Sequence, residues 1–357
     1  MGEVLGIGLS HYPPFSGLDE DMAGILRRTL QDPGIPADAK DVRNWPEIAR
    51  NEWSEDEGRS SAAGHRAALI RGFEQLRKRI DDFAPDVVLI WGDDQYENFR
   101  EDIIPPYAIL AYDDMEVRPW EHAADSSNMK GRPNVWDESA ETSFKVRGRR
   151  DIGKYLTTEL LERGVDIAYA YKPLHHSSLP HAFLNAVLYL DYHRRGFDYP
   201  IISFPINCYG RRVVSYEGFL SAIDDVRDLD PPSPTPARLM EVGAAVGQIL
   251  AESPYRVAIV ASSSWSHAFL CDRTWRLRPD TSSDRNLYEA MLRGDFDTWR
   301  STSLEEIEAA GQQELLNWYP MLGAMEALGQ ATPEWSEFVE TGIFNSNKVF
   351  AAYPAVK

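Results

Sequence analysis

The chain has 357 residues, of which 43% are hydrophobic and 26% charged, with a formal net charge of −19. A field of that sign repels nucleic acid and anionic membranes, so we expect neither as a partner. The two cysteines, Cys208 and Cys271, form no C-x-x-C pair, which argues against a thiolate zinc site and a disulfide framework. The sequence shows no secretory signal and no run of apolar residues that could span a membrane, and we predict a cytoplasmic protein.

Apolar periodicity divides the chain into alternating strands and helices. In chain order the patterns predict strand 4–9, helix 61–83, strand 87–91, strand 103–111, helix 151–163, strand 165–171, helix 181–192, strand 199–206, helix 237–252, strand 256–261 and helical structure over 284–328. The proline-rich residues 230–236 indicate a connection, since the alternation resumes after them. The pattern predicts one α/β domain over 1–357, with a central, mainly parallel or mixed sheet covered by helices on both faces.

Two polar stretches interrupt this alternation. Residues 16–60 and 113–147 predict long insertions, the first with short helices, and we expect them to form a lid or the entrance to the site. The strand at 87–91 is continuously apolar, which is typical of a strand buried on both faces of a sheet. It ends at Gly92-Asp93-Asp94-Gln95, and ligands in open α/β sheets bind beyond the carboxyl ends of the strands.

Histidines follow three of the predicted strands. His11, His175, His176 and His267 each lie just after a strand, and His181 begins the next helix. A single histidine is more often a structural residue than a ligand, but three strand ends together favour a site. Imidazole with carboxylate is the ligand set of divalent iron, manganese or zinc.

Other chemistries have weaker support, and two histidines are given no site role. His122 and His193 have no placement at a strand end. Residues 262–264 are serines after a strand but lack the G-x-S-x-G pattern of a hydrolase. A G-x-G-x-x-G segment and a P-loop are both absent from the sequence, so nucleotide binding has no support.

Several motifs in order resemble one family. These are SHYP at 10–13, PDVVLIWGDDQYENF from 85, LHHSSLPHAFL from 174, SFPINCYG from 203, SWSH at 264–267, AAGQQELLNWYPMLGAM from 309 and FNSNKVFAAY from 344. Together they resemble the class III extradiol ring-cleaving dioxygenases, the family of the catalytic chain of protocatechuate 4,5-dioxygenase. The resemblance covers most of the chain outside residues 16–60 and 113–140.

The resemblance implies a set of site residues. His11 and Glu314 match the family's iron ligands, and Gln95 stands where the relatives have a second iron-binding histidine. His65 or His267 could supply the missing nitrogen. The resemblance also implies substrate-binding roles for three residues. These are Tyr155, His267 and Asn347.

The acid/base residue is ambiguous because the family's D-H-G turn has become His175-His176-Ser177 and is one residue shorter. We favour His176, since the small Ser177 then takes the place of the glycine, but His175 and His181 stay open. In the reaction that the resemblance implies, this histidine takes the substrate's proton as a general base and returns it as an acid.

The resemblance implies cleavage of a catechol-like or phenolic substrate by dioxygen with a non-heme metal, most simply Fe(II), with Zn or Mn as alternatives. Two other readings remain open. A divergent member could carry out metal-dependent hydrolysis or C–C bond cleavage without oxygen, or the chain could be a non-catalytic subunit. A homo-oligomer or a small helical partner subunit is possible, since some family members need such a chain.

Overall fold

The structure is a computed structural model that describes residues 2–121, 131–212, 214, 216–217, 223 and 227–357. His122, and with it part of the insertion predicted at 113–147, lies outside the described residues. Among the described helices, none combines the length and the apolar character that crossing a membrane requires.

Ten strands are described, eight of them in one sheet. Their bounds are β1 Glu3–Leu9, β2 Val87–Asp93, β3 Ala108–Leu110, β4 Met115–Val117, β5 Phe144–Val146, β6 Ala168–Ala170, β7 Ile201–Ile206, β8 Arg256–Ser262, β9 Trp335–Val339 and β10 Lys348–Ala352. The large sheet has the order β6-β3-β7-β2-β8-β1-β10-β9, and β4 pairs with β5 separately. The four central strands β7, β2, β8 and β1 are parallel, while β3 and β10 join them antiparallel, so the sheet is mixed.

Helices cover both faces of this sheet. The described α-helices are α1 Gly24–Thr29, α2 Ala37–Lys40, α3 Glu47–Trp53, α4 Arg59–Phe83, α5 Arg150–Glu162, α6 His181–Leu190, α7 Pro236–Glu252, α8 Thr281–Arg293, α9 Phe296–Ser301, α10 Leu304–Ala309 and α11 Trp318–Ala327. Alternate residues of β2 enter two apolar clusters, because successive side chains of a strand point to opposite faces. Val87, Leu89 and Trp91 pack with α5, α7 and α11, whereas Val88 and Ile90 pack with α4 and α6.

These elements confirm the predicted α/β class with a mixed central sheet. The predicted strands at 103–111 and 165–171 are wrong in length, because only three residues of each pair in the sheet. The predicted helical region 284–328 is divided into four α-helices and a 3₁₀ turn at Gln313–Asn317. Strands β9 and β10 were not predicted, and the insertion at 113–147 contains the antiparallel pair of β4 and β5.

The insertion at 16–60 forms short helices, as predicted, and is tied to the body by a buried arginine. Arg66 of α4 donates hydrogen bonds to the carbonyls of Phe15 at 2.7 Å and Gly17 at 2.6 Å, and to the Asp19 carboxylate at 2.5 Å. These bonds fix the start of the insertion, directly after His11, against the long helix.

Candidate active site

The carboxyl ends of the four parallel strands meet at one edge of the sheet, as the sequence predicted. His11 lies two residues beyond β1, Asp93 is the last residue of β2, Tyr209 follows β7, and His267 follows β8. Gly92 allows β2 to approach helix α6, since a Cβ at this position would lie 2.9 Å from the Cβ of Ala182. The strand ends and the start of α6 therefore surround a common polar cluster.

His11 is held in one tautomer and directs its other nitrogen into this cluster. Its Nδ1 lies 2.9 Å from the carbonyl oxygen of Ser262, which can only accept, so Nδ1 carries the hydrogen. Nε2 then faces Glu314 Oε2 at 3.6 Å and Asp93 Oδ1 at 3.9 Å. Burial, and then the neighbouring His181 and His267, lower the pKa of His11 well below its usual value. His11 is therefore neutral, the form that binds a metal.

Asp93 and Glu314 are buried carboxylates, each with one oxygen hydrogen-bonded and the other bare. Asn317 Nδ2 donates to Asp93 Oδ1 at 3.3 Å, and the Tyr209 hydroxyl donates to Glu314 Oε1 at 2.5 Å. Asp93 Oδ2 and Glu314 Oε2 are buried and have no hydrogen-bond partner among the described residues. Burial raises the pKa of both groups, and burial together with the charge of Asp93 brings the pKa of Glu314 to about 8. Bare buried carboxylate oxygens are unfavourable without a cation or a proton.

His181, which begins α6, is held by Glu97. The Glu97 carboxylate accepts from the His181 backbone N–H at 3.0 Å and from Nδ1 at 2.8 Å. Nε2 lies 4.0 Å from Asp93 Oδ2, and the ring meets that of His11 edge-on with centroids 5.1 Å apart. Burial opposes the charged form, but Glu97, Asp93 and Glu314 outweigh it and raise the pKa of His181 to about 10. Near neutrality His181 is therefore protonated, unlike His11.

His267 closes the cluster on the side of Glu314. Its Nε2 lies 3.3 Å from Glu314 Oε2, the oxygen that also faces His11. Burial, followed by the charge of Lys348, lowers the pKa of His267 to about 3, so this ring is neutral. His267 is thus a second neutral imidazole beside the same carboxylate oxygen.

A buried carboxylate outside the cluster positions these segments. Asp284 accepts from the backbone N–H of Ser266 at 3.0 Å, from Gln312 Nε2 at 2.7 Å and from Asn347 Nδ2 at 2.8 Å. It thereby joins the residue before His267, the turn before Glu314 and the start of β10. Burial raises the pKa of Asp284 to about 7 against the effect of these bonds.

The structure brings only some of the predicted residues to this cluster. His11, Glu314 and His267 lie within it, while Asn347 is committed to the network of Asp284 and has its carbonyl Oδ1 bonded to the Thr341 N–H at 3.1 Å. The ring of Tyr155 lies 6.1 Å from that of Tyr255, next to the first residue of β8. Tyr155 is therefore placed at the opposite edge of the sheet.

The three histidines considered for acid/base chemistry differ in position. His175 is partly exposed and pairs with Asp102 at 2.9 Å. His176 is buried, accepts from the Ser178 N–H at 3.1 Å and contributes to lowering the pKa of Glu97. Of the three, His181 has described contacts with the cluster itself. The role of His176, favoured from the sequence, stays a prediction.

Gln95 and His65 are two further residues that the sequence analysis considered as metal ligands. Asp93, the last residue of β2, has a described contact with His11, whereas Gln95 lies two residues farther on and is half-buried. The role of Gln95 as a ligand stays a prediction. His65 packs its ring against Phe344 and Tyr12, with centroids 4.7 Å and 6.3 Å apart.

The distances in the cluster suit a divalent cation. Ligand atoms about 2.1 Å from one ion are separated by about 3.0 Å when adjacent and about 4.2 Å when opposite. The contacts of His11 with Glu314 and Asp93, at 3.6 Å and 3.9 Å, fall within this range. Donor atoms of His11, Asp93 and His181 also lie within 4.8 Å of one another. An α/β sheet with imidazoles and bare carboxylates at its strand ends defines a candidate metalloenzyme.

Comparisons with known proteins find similarity to aromatic ring-cleaving dioxygenases. Residues 229–351 match the family described as the catalytic LigB subunit of aromatic ring-opening dioxygenase. A 2,3-dihydroxyphenylpropionate/2,3-dihydroxicinnamic acid 1,2-dioxygenase of Photorhabdus laumondii is 25% identical over 195 residues, 55% of this chain and 47% of the relative. The enzyme of the same name from Rhodococcus jostii is 28% identical over 195 residues, 55% of this chain and 48% of the relative. The chain thus spans about half the length of these curated relatives.

An uncharacterized protein of Escherichia coli K12, known from a crystal structure, is 13% identical, with a TM-score of 0.39 over 79% of this chain and 91% of that one. The family and relative matches confirm the resemblance to the class III extradiol ring-cleaving dioxygenases that the motifs indicated. The matched segment 229–351 contains Glu314 and His267. The remaining members of the cluster come from β1, β2 and α6.

Proposed function

We propose that this protein is an extradiol-type dioxygenase that opens the ring of a catechol-like substrate with a divalent non-heme metal. The observation that carries the proposal is the neutral Nε2 of His11 beside two buried carboxylates, 3.6 Å from Glu314 Oε2 and 3.9 Å from Asp93 Oδ1. Each of these carboxylates also has one oxygen without a hydrogen-bond partner among the described residues. The family and the relatives' names support oxygen chemistry on a dihydroxylated ring.

The residues present fit a metal ion. His11, Asp93 and Glu314 would hold it, and the Nδ1–H of His11 donates to the Ser262 carbonyl, the kind of support that orients a ligating imidazole. A cation here would hold both carboxylates ionised, since its charge offsets the burial that raises their pKa. Fe(II) is the ion we propose, with Mn or Zn as alternatives. When bound, the metal would bring substrate and dioxygen together and pass electron density between them.

His181 is the residue we assign to proton transfer. A protonated imidazole is a poor metal ligand, and the Glu97 carboxylate, which accepts from Nδ1, favours that protonated form. Because Nδ1 is committed to Glu97, Nε2 is the atom that faces the cluster and would exchange a proton with a substrate oxygen. His267 lies beside the bare oxygen of Glu314, where a neutral donor could orient the substrate.

The test is reconstitution of the purified protein with Fe(II) without oxygen, followed by metal analysis and oxygen uptake with a panel of catechols. The panel includes catechol, 3,4-dihydroxybenzoate and 2,3-dihydroxyphenylpropionate. Stoichiometric iron with substrate-dependent oxygen uptake is the expected result. Bound metal without uptake would favour non-oxidative hydrolysis or C–C cleavage, and no bound metal would favour a non-catalytic subunit.

Alanine variants of single histidines test which residue transfers the proton. His181→Ala should remove turnover and leave metal bound, whereas His193→Ala, which alters an exposed histidine paired with Glu74, should change neither. If His176→Ala or His175→Ala abolishes turnover and His181→Ala does not, the assignment is wrong.

Further expectations from the sequence stay predictions. These are a single domain, a cytoplasmic location, and either a homo-oligomer or a small helical partner subunit.

A further inference from the structure

Tyr209 divides the two oxygens of Glu314 between different partners. Its hydroxyl donates to Oε1 at 2.5 Å, while Oε2 faces His11 and His267 without a hydrogen-bond partner among the described residues. Tyr209 is 6% exposed and follows β7, on a turn held by the bond from the Ser233 hydroxyl to the Cys208 carbonyl at 2.8 Å. The phenol is thus a fixed group of the scaffold.

The two oxygens of Asp93 also differ in their hydrogen bonding, with a different donor. Asn317, on the 3₁₀ turn that carries Glu314, donates to Oδ1 at 3.3 Å and leaves Oδ2 bare. The Asn317 amide is itself oriented by the Cys208 thiol, which lies 3.3 Å from its Oδ1. Each carboxylate of the cluster therefore has one oxygen that accepts a hydrogen bond and one that accepts none among the described residues.

We propose that Tyr209 is a positioning residue that keeps Glu314 a one-oxygen ligand and so reserves coordination positions for the reactants. This inference rests on the proposed function. Carboxylates bind metals through one oxygen or two, and a charge-assisted hydrogen bond of this length strongly favours leaving Oε1 with the phenol. Without the hydroxyl, Oε1 has no such partner and can turn to the same ion as Oε2.

The number of coordination positions on the metal determines whether substrate and dioxygen can bind together. One atom each from His11, Asp93 and Glu314 leaves about three of the six positions of an octahedral ion. The two oxygens of a catechol and one molecule of dioxygen need three. If Glu314 used both oxygens, about two would remain, enough for the substrate or for dioxygen with water, but too few for both reactants.

Water counting on the Mn²⁺-loaded protein tests this inference without turnover. Broadening of the Mn²⁺ resonance in ¹⁷O-enriched water reports the number of bound waters, and we expect about three in the wild type and about one after 4-nitrocatechol is added. In Tyr209→Phe we expect about two and none. Oxygen uptake by the iron-loaded variant should fall at least about tenfold, with bound iron still stoichiometric.

The matched control is Tyr353→Phe, which removes a buried hydroxyl that has no hydrogen-bond partner among the described residues and lies outside the cluster. It should keep the wild-type water count. Three waters in Tyr209→Phe would overturn the inference and leave the proposed function intact. Two waters in the wild type would overturn it even if the variant does not fold. Absence of any bound divalent metal in the wild type would overturn the proposed function, and the inference with it.

Discussion

Replacement of Glu97 with Gln isolates the charge that keeps His181 protonated. The amide can still accept from Nδ1 and from the backbone N–H, so the change removes charge more than shape. The rise in the pKa of His181 from 6.5 to about 10 corresponds to about 5 kcal/mol in favour of the protonated form, opposed by burial and shared among Glu97, Asp93 and Glu314. For Glu97 we take about 2–3 kcal/mol, the usual size for a hydrogen bond to a charged group.

The stability that protonated His181 contributes depends on pH. Because the pKa of His181 is higher in the folded than in the unfolded protein, its stabilisation is complete below pH 6.5 and is lost as the pH rises through about 10. Urea unfolding of the metal-free protein should therefore show Glu97→Gln less stable by about 2–3 kcal/mol at pH 6, with the difference nearly gone at pH 10.5.

The matched control is Glu74→Gln, which alters the exposed pair of Glu74 with His193 at 2.7 Å. Exposed ion pairs contribute little, so this variant should unfold like the wild type at both pH values. If the loss of stability in Glu97→Gln were equal at pH 6 and pH 10.5, the role of Glu97 would be structural and the reasoning about the charge of His181 would be refuted.

Two further predictions concern the metal. Because the pKa of Glu314 is raised to about 8, metal binding at pH 7 should release about one proton from this carboxyl, and binding at pH 9 much less. Calorimetry in two buffers of different ionisation enthalpy measures this release, and its persistence in Glu314→Gln would contradict the assignment. Gln95→His decides the third ligand. With Asp93 in that role iron affinity should change little, whereas a gain in iron affinity and oxygen uptake would assign the role to Gln95.

The parts of the site that the sequence predicted are those fixed by the topology of parallel strands. Residues that follow such strands meet at one edge whatever the loops do, and His11 and His267 are found there. Glu314 came from the resemblance, because no local pattern marks a glutamate on a 3₁₀ turn as a ligand. Two long amphipathic helices, α4 and α7, were also predicted within two residues at each end.

The features of the site that the sequence analysis missed depend on where a strand ends or on contacts between residues far apart in the sequence. The strand β2 continues through Gly92 to Asp93, two residues beyond its prediction, so the inward-facing carboxylate belongs to the strand itself. His181 was kept as an acid/base alternative but not preferred, since its partner Glu97 is 84 residues away in sequence. Tyr209 lies in the SFPINCYG motif but was given no role, and Asp284 lies in no motif; the roles of both follow from contacts across the fold.

The interleaved order of the sheet also determines what could survive as a fragment. The segment 229–351 that matches the dioxygenase family supplies β8, β9 and most of β10, yet β8 lies between β2 and β1, and β1 separates it from β10. Expressed by itself, that segment would leave β8 with no strand on either side and would expose the apolar face that α4 and α6 cover. We therefore expect that the segment that matches the family does not fold by itself, because strands from the amino-terminal part of the chain complete its sheet.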